Sequence, residues 1–532
     1  MFIISFLFYS FGTLLSIDIL MGVCSSHTSM ESKARTLDVL TADVKTLQGL
    51  LSSGNITSKH LVNLYLSQIG KHDGSLNAMI ETAPKDTLLR RAHSLDVERQ
   101  AGNVRGPLHG IPVILKDNIA THPSLGLGTR AGSLALVGSK PRKSATLVDM
   151  LISKGAIILG KSNLSEFANW RSVMLISGWS GVGGQVQSAY VRGGILYDDG
   201  KDGHSNLSGS SSGSAVAVSA GYSPISIGTE TDGSLICPAG RAALYTIKPT
   251  IGLVPQDGIV PASELFDTAG PMAKSAYDLS AFLDTISDPE VSFTSNLTGS
   301  WEDISVATLD PRAWKFPDAF IKPVPQADER ALRDITDAYK TIGAKAKRFV
   351  ENVPSTTINA FDYNGENSEM TIIRADMKPL LNSYLENLEE SPVRSLQEII
   401  DFNKAHADEE LPPLHDNQDF FIQTEKQHLA AEQYNKTLEH LRRTSRDNGI
   451  DYILKEFEVD VIIGPADSFM TSLAAASGYP VAGMPLSYLD FNGRPLGVAA
   501  LAGKNRDATL VKLMSAWEAT FPKRKPPPRL VE

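Results

Sequence analysis

The order of apolar and polar positions divides the chain into four parts: an N-terminal helical stretch, alternating short strands and helices, a charged helical region, and a closing set of strands. Val44, Leu47 and Leu51 recur at helical spacing, as do Leu61, Leu64, Tyr65, Gln68 and Ile69. Thr57 and Ser58 precede the second set and are residue types that cap helix starts. Ile111 to Leu115 is a short apolar run between Gly110 and the polar Lys116-Asp117-Asn118, which predicts a buried strand ending in charged groups. A helix over Ala145–Ile152 and a strand over Ala156–Leu159 follow, with Gly160 closing the strand. Gly178 to Ser212 is dense in Gly, Ser and Asp and predicts a long surface loop, a feature usually tied to function. Ala215–Ala220 resumes an apolar helix stopped by Gly221, Pro224–Ile227 reads as a strand, and Gly228–Ser234 as a polar turn. Ile304–Ile450 is charged and carries helical periodicity at Leu381, Tyr384, Leu385 and Leu388. It is expected to form a mostly helical cover, within the same domain, lining the substrate entrance. Val459–Ile463, Gly478–Pro485 and Gly497–Leu501 read as closing core strands. The alternation predicts an α/β fold with a mostly parallel or mixed sheet.

Composition narrows the function. The chain has 532 residues, 42% hydrophobic and 21% charged, with a net charge of −10. That balance is globular and offers no basic face for nucleic acid. Lys523, Arg524 and Lys525, beside Pro526 to Pro528, are read as a solvated basic tail over 521–532. Two cysteines, Cys24 and Cys237, do not make a disulfide framework. Residues 1–30 contain an apolar stretch interrupted by Asp18 and followed by small residues, with no Lys or Arg before Lys33. They fit a signal peptide or an upstream extension, so the chain is secreted or cytoplasmic accordingly. The stretch is too short and broken for a stable membrane span. Five sequons (Asn55, Asn163, Asn206, Asn296, Asn435) permit glycosylation, and two of them fall near the catalytic motifs described below.

The chemistry is that of a nucleophile. H-E-x-x-H, C-x-x-C and Walker-A patterns are absent, and the eleven histidines show no metal-ligand spacing. Neither a metal nor a cofactor is expected. Gly209 to Gly213 fits G-x-S-x-G with Ser211 at the elbow, but no strand precedes it, as an α/β-hydrolase elbow requires. A linker does not explain the Gly/Ser run either, because an apolar helix begins directly at Ala215. A second serine, Ser234, ends the turn Gly228-Thr229-Glu230-Thr231-Asp232-Gly233-Ser234. Such a turn can expose a hydroxyl and present successive N–H groups to an oxyanion. A plain Gly-rich turn would read similarly. Lys116 ends an apolar strand, where burial lowers a lysine's pKa and lets the neutral amine accept a proton. On position alone it could equally be an exposed loop lysine.

Taken together, these segments resemble the amidase signature family. The resemblance rests on PLHGIPVILKDNI (107–119), GKSNLSEFA (160–168), GSSSGSAVAVSAGYSPISIGTETDGS (209–234), LYTIKPTIGLVP (244–255), DVIIGP (460–465) and GYPVAGMPLSYLDFNGRPLGV (478–498). It extends from about residue 40 to 520 and implies the amidase signature fold, a twisted mixed, mostly parallel sheet with helices on both faces. It also implies a Ser-cisSer-Lys set: Lys116 as base, Ser210 on a cis peptide as relay, and Ser234 as nucleophile. Ser211 would support the hydrogen-bond network. The backbone N–H groups of Thr231, Asp232, Gly233 and Ser234 would form the oxyanion hole. Such an enzyme hydrolyses small-molecule or peptide-like amides through an acyl-enzyme, without cofactor, as a monomer or homodimer. Ser208 and Ser212 stand where the run often has glycine, so Ser210 is picked out by its interval to Ser234.

Ile236 replaces the arginine of the family's tRNA-dependent amidotransferase subunits, which argues against that branch. Trp179, Gly183-Gly184 and Gln185, with the T-E-T-D-G-S form of the nucleophile turn, are more similar to the peptide amidase and fungal or bacterial monomeric amidase branch. The competing readings are a non-catalytic binding protein on the same scaffold and a glutamine-dependent amidotransferase subunit.

Overall fold

The computed structural model describes residues 37–286 and 292–531. The segment read as a signal peptide or extension lies outside the described residues. From Val39 onward the chain forms a single unit built on one sheet. Eleven strands compose it: β1 (Met79–Thr82), β2 (Pro112–Lys116), β3 (Ile157–Ser162), β4 (Ile225–Glu230), β5 (Tyr245–Lys248), β6 (Thr268–Ala273), β7 (Ser305–Thr308), β8 (Arg348–Val350), β9 (Val461–Pro465), β10 (Val481–Tyr488) and β11 (Pro495–Ala502). Their spatial order is β1-β3-β2-β4-β6-β5-β10-β11-β9-β7-β8.

The sheet is mixed, but not mostly parallel. β3-β2, β2-β4, β9-β7 and β7-β8 pair parallel. β1-β3, β4-β6, β6-β5, β5-β10, β10-β11 and β11-β9 pair antiparallel. For one of these antiparallel pairs the reason is connection length. β10 and β11 are joined by residues 489–494, a hairpin span, whereas a parallel crossover needs a dozen residues or more.

Helices flank this sheet. The periodic N-terminal positions are buried as their spacing requires: Val44, Leu47 and Leu51 in Val44–Ser52, and Leu61, Tyr65 and Ile69 in Ser58–Leu76. Asp43 and Thr57 cap these helices, accepting from Thr46 N and His60 N at 2.8 and 3.1 Å. Two strands outrun their expected ends. β3 continues through Gly160 to Ser162, and a Cβ on Gly160 would collide with the Glu81 carbonyl oxygen of the neighbouring strand. β4 continues to Glu230, so the nucleophile turn starts later.

The 304–450 region is mostly helical, with Pro325–Gly343, Ser368–Glu386, Leu396–Ala405, Asp419–Lys426 and Ala431–Ser445. It also supplies β7 and β8, and Leu381, Ile399 and Leu441 share one apolar core with Ile236 and Leu501. The expected surface loop at 178–212 is irregular but largely buried, and it is most exposed in its middle, from Arg192 to Asp198. The tail is not simply solvated. Arg524 donates to the carbonyl oxygens of Ala243 and Leu40 and to the Tyr190 hydroxyl, while Lys523 and Lys525 remain exposed. Among the described residues no helix is long and apolar enough to cross a membrane, and no cluster of metal-ligating side chains occurs.

Candidate active site

Lys116 is the last residue of β2, a strand buried at every position. β2 lies between β3 and β4 in parallel, so its C-terminal end opens where the neighbouring strands also end. That is the usual place for a site in an α/β sheet. The Lys116 side chain is fully buried. Its Nζ lies 2.7 Å from Ser210 Oγ, 2.9 Å from Thr229 Oγ1 and 3.2 Å from the Thr229 carbonyl oxygen. The carbonyl can only accept, and Thr229 Oγ1 already takes an N–H from Asn118 Nδ2 at 3.0 Å. A neutral amine therefore fits: it spends its hydrogens on Thr229 and offers its lone pair to the Ser210 hydroxyl. Burial pulls the amine down to about 7, against the charges of Glu230 and Asp267, which raise it.

Ser210 follows a cis Gly209–Ser210 peptide. The segment is anchored on three sides. The Ser210 carbonyl accepts from Ser165 N at 3.0 Å, and Ser212 Oγ donates to the Ser208 carbonyl at 2.7 Å. Ser211 N donates to the Ser234 carbonyl at 3.2 Å, tying the Gly/Ser run to the second serine's turn. Ser211 Oγ donates to the Thr229 carbonyl at 3.0 Å and accepts from Thr229 N at 3.2 Å. Ser211 thus holds Thr229 against Lys116, and it sits just before the Ser212–Ser219 helix with no strand ahead of it. Gly213 lets that helix approach the sheet, since a Cβ there would collide with the carbonyl oxygens of Ala78 and Asn163.

Ser234 sits in the turn after β4. Glu230 braces the far end of this turn, its Oε2 accepting from Leu235 N at 2.6 Å and Ile236 N at 3.0 Å. Thr231 Oγ1 donates to Asp267 at 2.6 Å, and Asp232 accepts from Ser472 Oγ at 2.6 Å. Gly233 adopts φ +78°, a left-handed conformation open to glycine. Among the described residues, neither the Ser234 hydroxyl nor the N–H groups of Thr231, Asp232, Gly233 and Ser234 find a protein partner. Ser210, Asp232, Gly233 and Ser234 all border a cavity of about 230 Å³. Thr231 borders a smaller neighbouring cavity with Asn118 and Thr229 instead. Ser210 is sealed at 1% exposure, while Ser234, at 7%, is the outer hydroxyl.

A family profile described as Amidase matches residues 60–509. The chain belongs to the amidase family. This amidase is 33% identical over 501 residues to a probable amidase of Arabidopsis thaliana, covering 92% of each chain. The native peptide amidase from Stenotrophomonas maltophilia shares the fold with a TM-score of 0.79 and 33% identity, over 91% of this chain and 98% of that one. A glutamyl-tRNA(Gln) amidotransferase subunit of Chloroflexus aurantiacus is 32% identical over 312 residues, 57% of this chain and 58% of that one. The amidase is accordingly a hydrolase of amide carbon–nitrogen bonds.

Several residues of the amidase site carried no sequence signal of their own. Thr229 and Asn118 lie inside quoted motifs, but Thr229 shows its role only through contact with Lys116, and Asn118 only through Thr229. Asp267, pushed up to about 6 by burial, and Glu369 come from distant segments without a motif. Conversely, Trp179 and Gln185 do not line the Ser234 cavity. Trp179 stacks on His415 with ring centroids 4.5 Å apart, and Gln185 Nε2 donates to the Ser177 carbonyl at 3.0 Å. The sequons at Asn163 and Asn206 are buried, so the folded chain presents neither.

Proposed function

We propose that this amidase cleaves small or peptide-like carboxylic amides through an acyl-enzyme on Ser234, with Lys116 as base and Ser210 as relay. The observation that carries the reading is the 2.7 Å contact between a fully buried lysine amine and the Ser210 hydroxyl, beside an unpartnered Ser234 hydroxyl on the same cavity. Neutral Lys116 takes the Ser210 proton as Ser210 takes that of Ser234, and Ser234 attacks the amide carbon. The unpartnered N–H groups of Asp232, Gly233 and Ser234 border the space where the developing oxyanion would lie, and Thr231 N–H is the more remote of the four. The proton returns through Ser210 to the leaving nitrogen, and water then cleaves the ester, releasing the acid. Ser211 acts on this set by positioning Thr229. The peptide amidase likeness supports a peptide-like substrate, and Ile236 in place of an arginine disfavours the amidotransferase reading.

Ser234→Ala should abolish turnover of a panel of peptide, aryl and fatty amides while the melting temperature stays near that of the wild type. A fluorophosphonate should label Ser234. Hydrolysis at wild-type rate by the alanine variant would end the assignment, and absence of labelling would favour a binding protein.

A further inference from the structure

Glu369 is the second residue of the Ser368–Glu386 helix, whose first turn is fixed by Asn367 accepting from Met370 N at 3.1 Å. The side chain borders the Ser234 cavity and is 2% exposed. Among the described residues its Oε1 is buried with no hydrogen-bond partner, and none of them bonds its other oxygen. Asp232, across the same cavity, likewise has Oδ1 buried without a partner, while its Oδ2 is satisfied by Ser472. A buried carboxyl oxygen calls for a partner, and beside a cavity that partner can come from a bound molecule. The cavity lining is also partly aromatic. Phe316, Phe320 and Phe469 pack with centroids 5.1 to 6.0 Å apart, a surface suited to an apolar side chain.

We propose that Glu369 is a specificity-determining residue that pairs with a peptide-type N–H and C=O on the substrate, so that N-acylated amino-acid amides are preferred over equal-sized amides lacking that N–H. The inference rests on the Ser234 assignment. Burial and the Asp232 charge push the Glu369 carboxyl well above the usual carboxylate range, against the pull of Arg442. A neutral acid offers one donor and one acceptor, which matches a peptide unit. A substrate ammonium would instead demand a charged, desolvated carboxylate.

The test compares kcat/KM, by ammonia release, for N-acetyl-phenylalaninamide and for its analogue with CH₂ in place of the acetamido N–H. Wild type should favour the N–H substrate at least tenfold. Glu369→Leu should bring the ratio near one, whereas Glu369→Gln, which also donates and accepts, should keep most of it. A ratio unmoved by Glu369→Leu overturns the proposal, as does a wild-type preference for free phenylalaninamide, which would mean recognition of a cation. If the wild type hydrolyses no amide, the Ser234 assignment falls instead. Calorimetric binding of the same pair to Ser234→Ala, with and without Glu369→Leu, then reads the ratio independently.

Discussion

Replacing Lys116 by methionine should destroy activity and stabilise the protein at neutral pH. Holding the amine at about 7 instead of 10.5 corresponds to about 5 kcal/mol of penalty on its charged form. The unfolded lysine is protonated below about 10.5, whereas the folded one loses its proton near 7. The unfolded state therefore binds more protons between these values, and wild-type stability rises with pH across that window. The penalty is full at pH 7 and below and vanishes near 10.5. Methionine removes it and roughly keeps the volume. The main loss is the partner of Ser210 Oγ, because Thr229 Oγ1 keeps Asn118 and the Thr229 carbonyl keeps Ser211 Oγ. One orphaned hydroxyl costs about 1–3 kcal/mol. The net gain is about 3 kcal/mol, and at about 2 cal/mol/K per residue a unit spanning Val39–Glu532 should melt about 3 °C higher. Calorimetry of both proteins at pH 7 and pH 10 measures this. The advantage should shrink at the higher pH, and amide hydrolysis should be lost at both. A destabilised Lys116→Met with the same deficit at pH 7 and pH 10 would refute the idea that a desolvated amine is held for use.

The same lysine should control the pH profile. kcat/KM should fall about tenfold per pH unit below 7, and Asp267→Asn, which removes a charge that raises the amine, should move this limb to lower pH. A limb near 4, or one indifferent to Asp267, would assign it to another group. Gly233→Ala forces a Cβ onto a φ of +78° and tilts the N–H groups facing the cavity, so kcat should drop about 10²-fold with KM little changed. Steady-state kinetics on one amide decide it.

The parts of this molecule legible in the sequence are those where chemistry and local geometry coincide. Lys116 ends an apolar strand and Ser234 closes the polar turn just past the end of the strand beside it, so strand placement brought them to one end of the sheet. Ser210 could be told from Ser208, Ser211 and Ser212 only by its interval to Ser234, because a run of serines gives every hydroxyl the same local setting. Asp267 and Glu369 were not legible. Asp267 meets Thr231, 36 positions away, and Glu369 shares a cavity with Asp232, 137 positions away. Glu369 also lies in a charged helical region whose pattern reads as a solvated face. The excess of parallel pairing comes from extending the βα rhythm of residues 112–227 into a C-terminal half where β10 and β11 form a hairpin and β5, β6 and β9 also pair antiparallel.

Burial alone does not make the base. Lys161 and Lys248 are also fully buried, and burial draws both down to about 8. Lys248 faces only the carbonyl oxygens of Tyr479 and Pro249. A carbonyl has no proton to give, so that amine can donate but has nothing to deprotonate. Lys161 meets the Ile119 carbonyl and the Thr129 hydroxyl, and the latter already accepts from Thr121 N. Neither lysine borders the Ser234 cavity. Lys116 does not border it either, but its hydroxyl partner belongs to Ser210, which does. The discriminating property is thus a buried amine in contact with a hydroxyl whose residue borders the same cavity as Ser234. Ser211 holds Thr229 in place, and Thr229 offers the amine acceptors for two hydrogens, which frees a neutral amine's lone pair for the Ser210 hydroxyl.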